Sequence, residues 1–264
     1  MLLHDELKRE FKNVVGRAGQ MVRQYHGKVR KSDIQHKATH DFVTEIDKQV
    51  EKFLVEEFTR LLPGSGFLTE EETVRKTRGE FKWIIDPIDG TTNFIHGLFP
   101  VTVSVALRYR EETIMGIVYE IGLNELYYAD ETGAYLNEKP IKVSAENNLE
   151  NALIATGFPF KNYDRLEDYM KSFEYLMFHT SGIRRLGSAA ADLVYVAAGR
   201  MDGFYEYGLN PWDVAAGAFI VMKAGGKISD FSGKARWLYG GEILATNALI
   251  HDEFLQVLRR FFDK

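Results

Sequence analysis

Apolar residues recur three and four positions apart over residues 3–25, at Leu3, Leu7, Phe11, Val14, Val15, Ala18 and Val22, which predicts an amphipathic helix with one face turned to a core. The period returns at Ile46, Val50, Phe53, Leu54, Phe58, Leu61 and Leu62, a second helix stopped by Pro63-Gly64; Thr44 and Asp47 fit a capping box at its start. Between the two, residues 27–40 are polar and basic and carry no such pattern. From Phe81 the apolar residues gather into short runs rich in β-branched and aromatic types, which predicts a meander of strands at 81–85, 101–109, 113–120 and 125–129. After a polar break at 142–151, helices are expected at 163–178, 189–198, from Pro211 to about 224, and from about Asp252 onward. Strands are expected at 183–186, 201–207, 227–229 and 243–246. Helices lie at both ends with strands and helices mixed between, so the class is layered α/β, or α+β, and not a regular βα repeat. The 264 residues fall between one and two domains of ordinary size, as two halves on one core or as two closely packed lobes.

Composition narrows the picture. Hydrophobic residues make up 45% and charged residues 27%, the balance of a globular chain and not of a disordered or fibrous one. Thirty-eight acidic against 33 basic side chains leave a net charge of -5, which argues against a nucleic-acid-binding face spread over the surface and leaves only local basic pockets. Cysteine is absent, so disulfides, thiolate nucleophiles and cysteine-ligated metals are excluded, and any metal chemistry falls to Asp, Glu and His. The first residues are acidic where an export signal is cationic and apolar, and no apolar run approaches the roughly 18 residues of a membrane span. A cytoplasmic protein with neither membrane nor nucleic-acid partner is expected.

Candidate chemistry gathers in the acidic segments. Trp83-Ile84-Ile85-Asp86-Pro87-Ile88-Asp89-Gly90-Thr91-Thr92-Asn93-Phe94 is an apolar strand that ends in a carboxylate, followed by a tight turn holding a second one. Carboxylates three positions apart across a turn can converge, and converging carboxylates repel unless a proton or cation lies between them. Mg²⁺ suits the arrangement, because it takes oxygen ligands and commonly pairs one or two carboxylates with a substrate phosphate. The plainer reading is that Asp86 and Asp89 only form the turn; the hydroxyls and amide of Thr91, Thr92 and Asn93 directly after them favour a ligand site. Glu70, Glu71 and Glu72 form another acidic group that, taken alone, reads as a solvated loop. Asp213 falls in the first turn of a predicted helix, where a carboxylate also compensates the helix dipole.

Together, residues 83–94 and 212–217 resemble the paired signature of the inositol monophosphatase family, within the lithium-sensitive, Mg²⁺-dependent phosphatases, and the likeness runs from Asp41 to Gly226. The resemblance implies a single domain over 1–264, a five-layered α/β/α/β/α sandwich of the inositol monophosphatase and fructose bisphosphatase kind, its two closely packed lobes dividing near 142–151. It implies Mg²⁺-dependent hydrolysis of a phosphate monoester, inositol monophosphate foremost, by metal-activated water, with two or three Mg²⁺ ions per site. By the same resemblance, Glu70, Asp86 and the main-chain carbonyl of Ile88 hold one ion, and Asp86, Asp89 and Asp213 a second. Thr91 and Glu70 orient and deprotonate the attacking water, and Asp47 supports them. Gly90 and Thr91 present N–H groups to the phosphate. Gly187, Ser188 and Ala189 line the polyol site beside Asp89 and Asp213, Glu206 accepts hydroxyls, Lys37 lies near the metals, and the protein is a homodimer.

The residue types suit such chemistry on their own terms. The anionic oxygens of a phosphate monoester repel a nucleophile, so cations that neutralise them and position a water supply most of the catalysis. The strand at 183–186 runs into a helix start whose N–H groups suit a polar or anionic ligand, although Ser188 there also reads as an ordinary cap. His36 and His40 stand four apart but lack a helical pattern and a third ligand, so zinc is not expected. Fructose-1,6-bisphosphatase or nucleotide 3′-phosphatase activity on the same scaffold remain alternatives, as does a binding or regulatory protein that kept the fold. The continuation over residues 92–100 resembles the inositol type. The apolar run at 153–160 is a weak candidate for a contact surface.

Overall fold

A computed structural model describes residues 4–29, 34–38, 41–73, 79–159 and 163–263. Two helices, α1 (Asp5–Tyr25) and α2 (Glu45–Leu61), are joined through a short antiparallel ribbon of β1 (Ile34–Ala38) and β2 (Asp41–Thr44). They cover one face of a seven-stranded sheet made of β3 (Gly66–Thr69), β4 (Phe81–Asp89), β5 (Thr102–Tyr109), β6 (Glu112–Glu120), β7 (Glu125–Asp130), β8 (Gly133–Leu136) and β9 (Lys139–Pro140). These strands lie in chain order, antiparallel except for the parallel pair β3 and β4. A short helix, α3 (Thr91–His96), follows β4.

The chain then builds a second, five-stranded sheet in the order β11 (Gly182–Arg184), β10 (Leu153–Thr156), β12 (Gly203–Tyr207), β14 (Glu242–Thr246) and β13 (Lys227–Ser229). β10 runs parallel to both of its neighbours. Helices α4 (Leu166–His179) and α7 (His251–Phe262) pack on its outer face, while α5 (Ala189–Ala197) and α6 (Pro211–Lys223) lie between the sheets.

Strand periodicity accounts for the layering. Side chains alternate across a strand, so Trp83 and Ile85 face α1 and α2, while Ile84 between them faces the central helices. In the second sheet, Tyr205 joins the outer core and Phe204 the central one. The central helices are apolar on nearly every side, as a helix covered all round must be: residues 214–221 of α6 are all buried. α6 also rides close on β6, because a Cβ at Gly116 would stand 2.9 Å from the Ala216 carbonyl oxygen. On the far side of the first sheet, Phe58 stacks on Trp83 with ring centroids 4.1 Å apart, and Phe11 meets both rings edge-on. Each such buried aromatic contributes roughly 1.5–3 kcal/mol by removal from water.

Several elements were not expected from the pattern. β3, β8 and β9 are only two to four residues long, too short for alternation to declare itself. The helix expected from residue 163 begins at Leu166, and the strand expected from 201 begins at Gly203. The apolar run at 153–160 starts as β10, with Ile154 and Ala155 fully buried inside the second sheet, so most of it is interior and not a surface. No helix among the described residues is long and apolar enough to cross a membrane.

Candidate active site

The carboxyl ends of five strands meet at one cleft between the sheets, the position where parallel strands present loops to a ligand. From the first sheet, β3 leads into Glu70 and β4 carries Asp86, Ile88 and Asp89. From the second, β10 leads into Gly157, β11 into Arg185 and Gly187, and β12 carries Glu206. Asp213 enters from the first turn of α6. The cleft has a volume of about 310 Å³.

Local rules explain each placement. Ile84 faces the central layer, so Asp86 two residues on faces it too; beyond it Pro87 cannot donate to the ladder, and the pairing with β5 slips between Asp86 and Asp89. Gly90 adopts a left-handed conformation with φ 92°, which turns the chain into α3. Asn93 then donates from Nδ2 to the carbonyls of Pro100 and Leu186, both at 2.8 Å, and so ties the turn to the segment entering α5. Glu51 on α2, fully buried, accepts from the N–H groups of Glu71 and Thr73 at 2.7 and 2.8 Å and fixes the loop after Glu70. The capping box at the start of α2 is present: Thr44 Oγ1 donates to Asp47 Oδ2 at 2.5 Å, and the Thr44 N–H donates to the same oxygen at 2.9 Å. The other oxygen of Asp47 lies 3.4 Å from Thr91 Oγ1, which stands 3.0 Å from the Ile88 carbonyl.

Backbone N–H groups hold three of the metal-type carboxylates. Asp86 accepts from the Ile88 N–H at 3.0 Å, and Asp213 from the Asn210 N–H at 2.6 Å. Asp89 accepts from Ser188 Oγ at 2.6 Å and from the Ala190 N–H at 2.7 Å. The helix-start donors that the sequence offers to a ligand are thus turned toward Asp89, while Ser188 also caps α5 through the Ala191 N–H. As the side chains stand, no three acidic or histidine residues among those described are grouped to hold a metal ion.

Electrostatics favour a cation nonetheless. Six carboxyl groups line the cleft: Glu70, Asp86, Asp89, Asp192, Glu206 and Asp213. Among the described residues there, Arg185 alone is basic. Burial, then the charges of Glu70, Asp89 and Asp213, push Asp86 well above the usual carboxylate range. Burial raises Asp89 as well, against the opposing bonds from Ser188, Ala190 and Ala189. Glu206 and Asp192 are raised strongly, each by burial first and by neighbouring carboxylates next. Burial lifts Asp47 to about 6.

The residues expected at the site therefore converge: Glu70, Asp86, Ile88, Asp89, Gly90, Thr91, Gly187, Ser188, Ala189, Glu206 and Asp213 all line the cleft, with Asp47 behind Thr91. Asp192, Gly157 and Arg185 line it too. Arg185 was visible only as part of the strand before α5. Asp192 had a signal that went unused, as the one charged residue in the otherwise apolar α5. Gly157 had none. The side chains of His36 and Lys37, and the whole of His40, lie outside what the structure describes.

Comparison with known proteins follows the same lines. The profile of the inositol monophosphatase family, whose members are generally Mg²⁺-dependent, matches residues 4–261. The chain is 36% identical to an inositol-1-monophosphatase of Mesorhizobium japonicum over 92% of both chains. It is 40% identical to the Nus factor SuhB of Pseudomonas aeruginosa over 87% of both. The crystal structure of the extragenic suppressor protein SuhB from Bartonella henselae superposes with a TM-score of 0.92 at 34% identity, covering 97% of this chain and 99% of that one.

Proposed function

The chain belongs to the inositol monophosphatase family, a family of phosphatases, and from that premise we propose that it hydrolyses the phosphate monoester of a polyol, myo-inositol monophosphate, using water and Mg²⁺. The observation that carries this reading is the imbalance of charge in the cleft, six carboxyl groups against one guanidinium among the described residues. Side by side and largely withdrawn from water, these groups must keep protons or take cations. An all-oxygen donor set without thiolates fits Mg²⁺.

Glu70, Asp86, the Ile88 carbonyl, Asp89 and Asp213 would hold two or three ions. When bound, Mg²⁺ lowers the pKa of a water and offsets charge on the phosphate and the leaving alkoxide. Thr91 and Glu70 would orient the attacking water, whose proton would pass to a carboxylate, Glu70 directly or Asp47 through the Thr91 hydroxyl, and Asp47, held by Thr44, keeps that hydroxyl in place. The N–H groups of Gly90 and Thr91 face the phosphate. On the opposite wall Glu206, with the segment Gly187, Ser188 and Ala189, holds the polyol, because a carboxylate accepts from two hydroxyls at once. The protein is a homodimer on the same reading. Edge strand β11 and the outward residues of α4, with Met177 55% and Phe178 76% exposed, support a partner there.

Phosphate release from inositol 1-phosphate by purified protein tests the proposal. It should need Mg²⁺ and stop in excess chelator. Asp89→Asn should lower kcat by at least about 100-fold, since even residues that only support metal ligands cost 10–100-fold, with the melting temperature kept. Undiminished activity in chelator would overturn the Mg²⁺ assignment. The substrate assignment predicts a higher kcat/KM for inositol 1-phosphate than for fructose 1,6-bisphosphate or adenosine 3′,5′-bisphosphate.

A further inference from the structure

Asp192 takes no part in the mechanism above, yet it is a buried acid in the central layer with an oxygen left unpaired. It stands in the first turn of α5, a helix otherwise built of Ala, Leu, Val and Tyr, and is 1% exposed. Its Oδ1 has no hydrogen-bond partner among the described residues. A buried polar atom left unpaired is destabilising, and an apolar residue at that position would avoid the cost. Asp192 nevertheless lines the cleft, on the wall that also carries Glu206 and Arg185. Burial disfavours its charge most, the charges of Glu206 and then Asp89 act in the same direction, and Arg185 acts in the opposite sense. An unsatisfied acid facing a ligand cleft beside another acid is arranged for donors that arrive with the ligand.

We propose that Asp192 is a specificity-determining residue that, with Glu206, reads hydroxyl groups on the leaving-group side of the substrate, so that this wall selects a polyol carrying at least two hydroxyls. The inference rests on the phosphatase reading of the site. The chemistry is general: a carboxyl group accepts from hydroxyls through either oxygen, and when protonated it also donates. Sites built around such groups discriminate against ligands that leave them unpaired. Binding that is equal in ground and transition states appears in KM and leaves kcat unchanged. Asp192 therefore acts on the fit of the leaving group, and the acids of the first sheet act on the phosphate.

The test compares Asp192→Ala and Asp192→Asn with the unaltered protein, loaded with Mg²⁺, on two substrates. One is inositol 1-phosphate; the other is phenyl phosphate, whose leaving group carries no further hydroxyl. Asp192→Ala should raise KM for inositol 1-phosphate by about 10- to 100-fold, the range expected when a substrate hydroxyl is left buried without its partner. kcat should stay within a few-fold, and kcat/KM on phenyl phosphate should be unchanged. Asp192→Asn, which keeps the shape and one acceptor oxygen, should fall between. Equal losses on both substrates, no loss on either, or unfolding of both variants in a thermal melt would each overturn the inference and assign Asp192 to the fold or to a bound water. An unaltered protein that hydrolyses neither substrate would remove the phosphatase reading itself, and this inference with it.

Discussion

Gly157 has no side chain, and Glu206 fills the space that one would occupy. A Cβ at position 157 would stand 2.1 Å from Glu206 Cδ and Oε2, whereas ordinary contact begins at 3.4 Å, so Gly157→Ala forces the carboxylate back by about 1.3 Å. The backbone of β12 cannot yield, because it is paired with β10 on one side and β14 on the other. Nor is the backbone at Gly157 in the left-handed region, so alanine strains no dihedral there. The displacement falls on the Glu206 side chain, which is 7% exposed and has only the cleft to move into. A hydroxyl-reading carboxylate moved by 1.3 Å loses its bond, and misplacements of about 1 Å can cost on the order of 100-fold in rate. Overpacking of a buried site adds about 1–3 kcal/mol of destabilisation. Steady-state kinetics on inositol 1-phosphate should show kcat/KM reduced by roughly 100-fold, with a much smaller change on phenyl phosphate. Pairing the change with Glu206→Asp, which withdraws the carboxylate by one methylene, should restore most of the melting temperature. A folded Gly157→Ala protein with unaltered kinetics on inositol 1-phosphate would refute the role given to Glu206.

Two further outcomes follow from buried groups. Thr44→Ala removes a fully buried cap that accepts from the Ile46 and Asp47 N–H groups and donates to Asp47. Urea unfolding should show a loss of about 1–2 kcal/mol, with lower kcat as Asp47 loosens; an unchanged midpoint would contradict the capping argument. His251 is fully buried between Ser229 and Thr246, and burial, aided by Lys227, lowers its pKa to about 4. The unfolded chain takes up a proton near pH 6.5 that the native imidazole refuses until about pH 4, so stability is full above pH 6.5 and falls as the pH drops through that window. The loss at pH 5 relative to pH 7 should be on the order of 1–2 kcal/mol. It should vanish from the pH dependence of His251→Gln, and a constant difference between the two proteins at both pH values would rule the mechanism out.

The long amphipathic helices were legible because each turns one stripe to a core: the α1 pattern at Phe11, Val14, Val15, Ala18 and Val22 is the buried face. The capping box at Thr44 and Asp47 was equally plain, since it depends on two residues three apart. The acidic turn at Asp86 and Asp89 was legible as chemistry but not as structure. Asp, Gly and Thr are turn residues, and nothing local announces that Gly90 leads into α3. Short strands such as β8 and β9 owe their existence to the neighbouring edge of the sheet, a long-range cause that no window contains. The nesting of Glu206 against Gly157 is of the same kind. Forty-nine positions separate the two residues, and only the parallel pairing of β10 with β12 brings them together.

Two sheets contribute to one cleft, and on the proposed reading they contribute different trades. Glu70, Asp86, Asp89 and Thr91 come from the first sheet and its turn, whereas Gly157, Arg185 and Glu206 come from the second and Asp192 from α5 beside it. Asn93 is the rivet between them, through its bonds to Pro100 and Leu186. Such a molecule is modular at the level of a single pocket. Drift in the loops after β10 and β11, or in α5, would re-tailor which alcohol is accepted while the hydrolytic half stays as it is, so a change of diet need not pass through a dead enzyme.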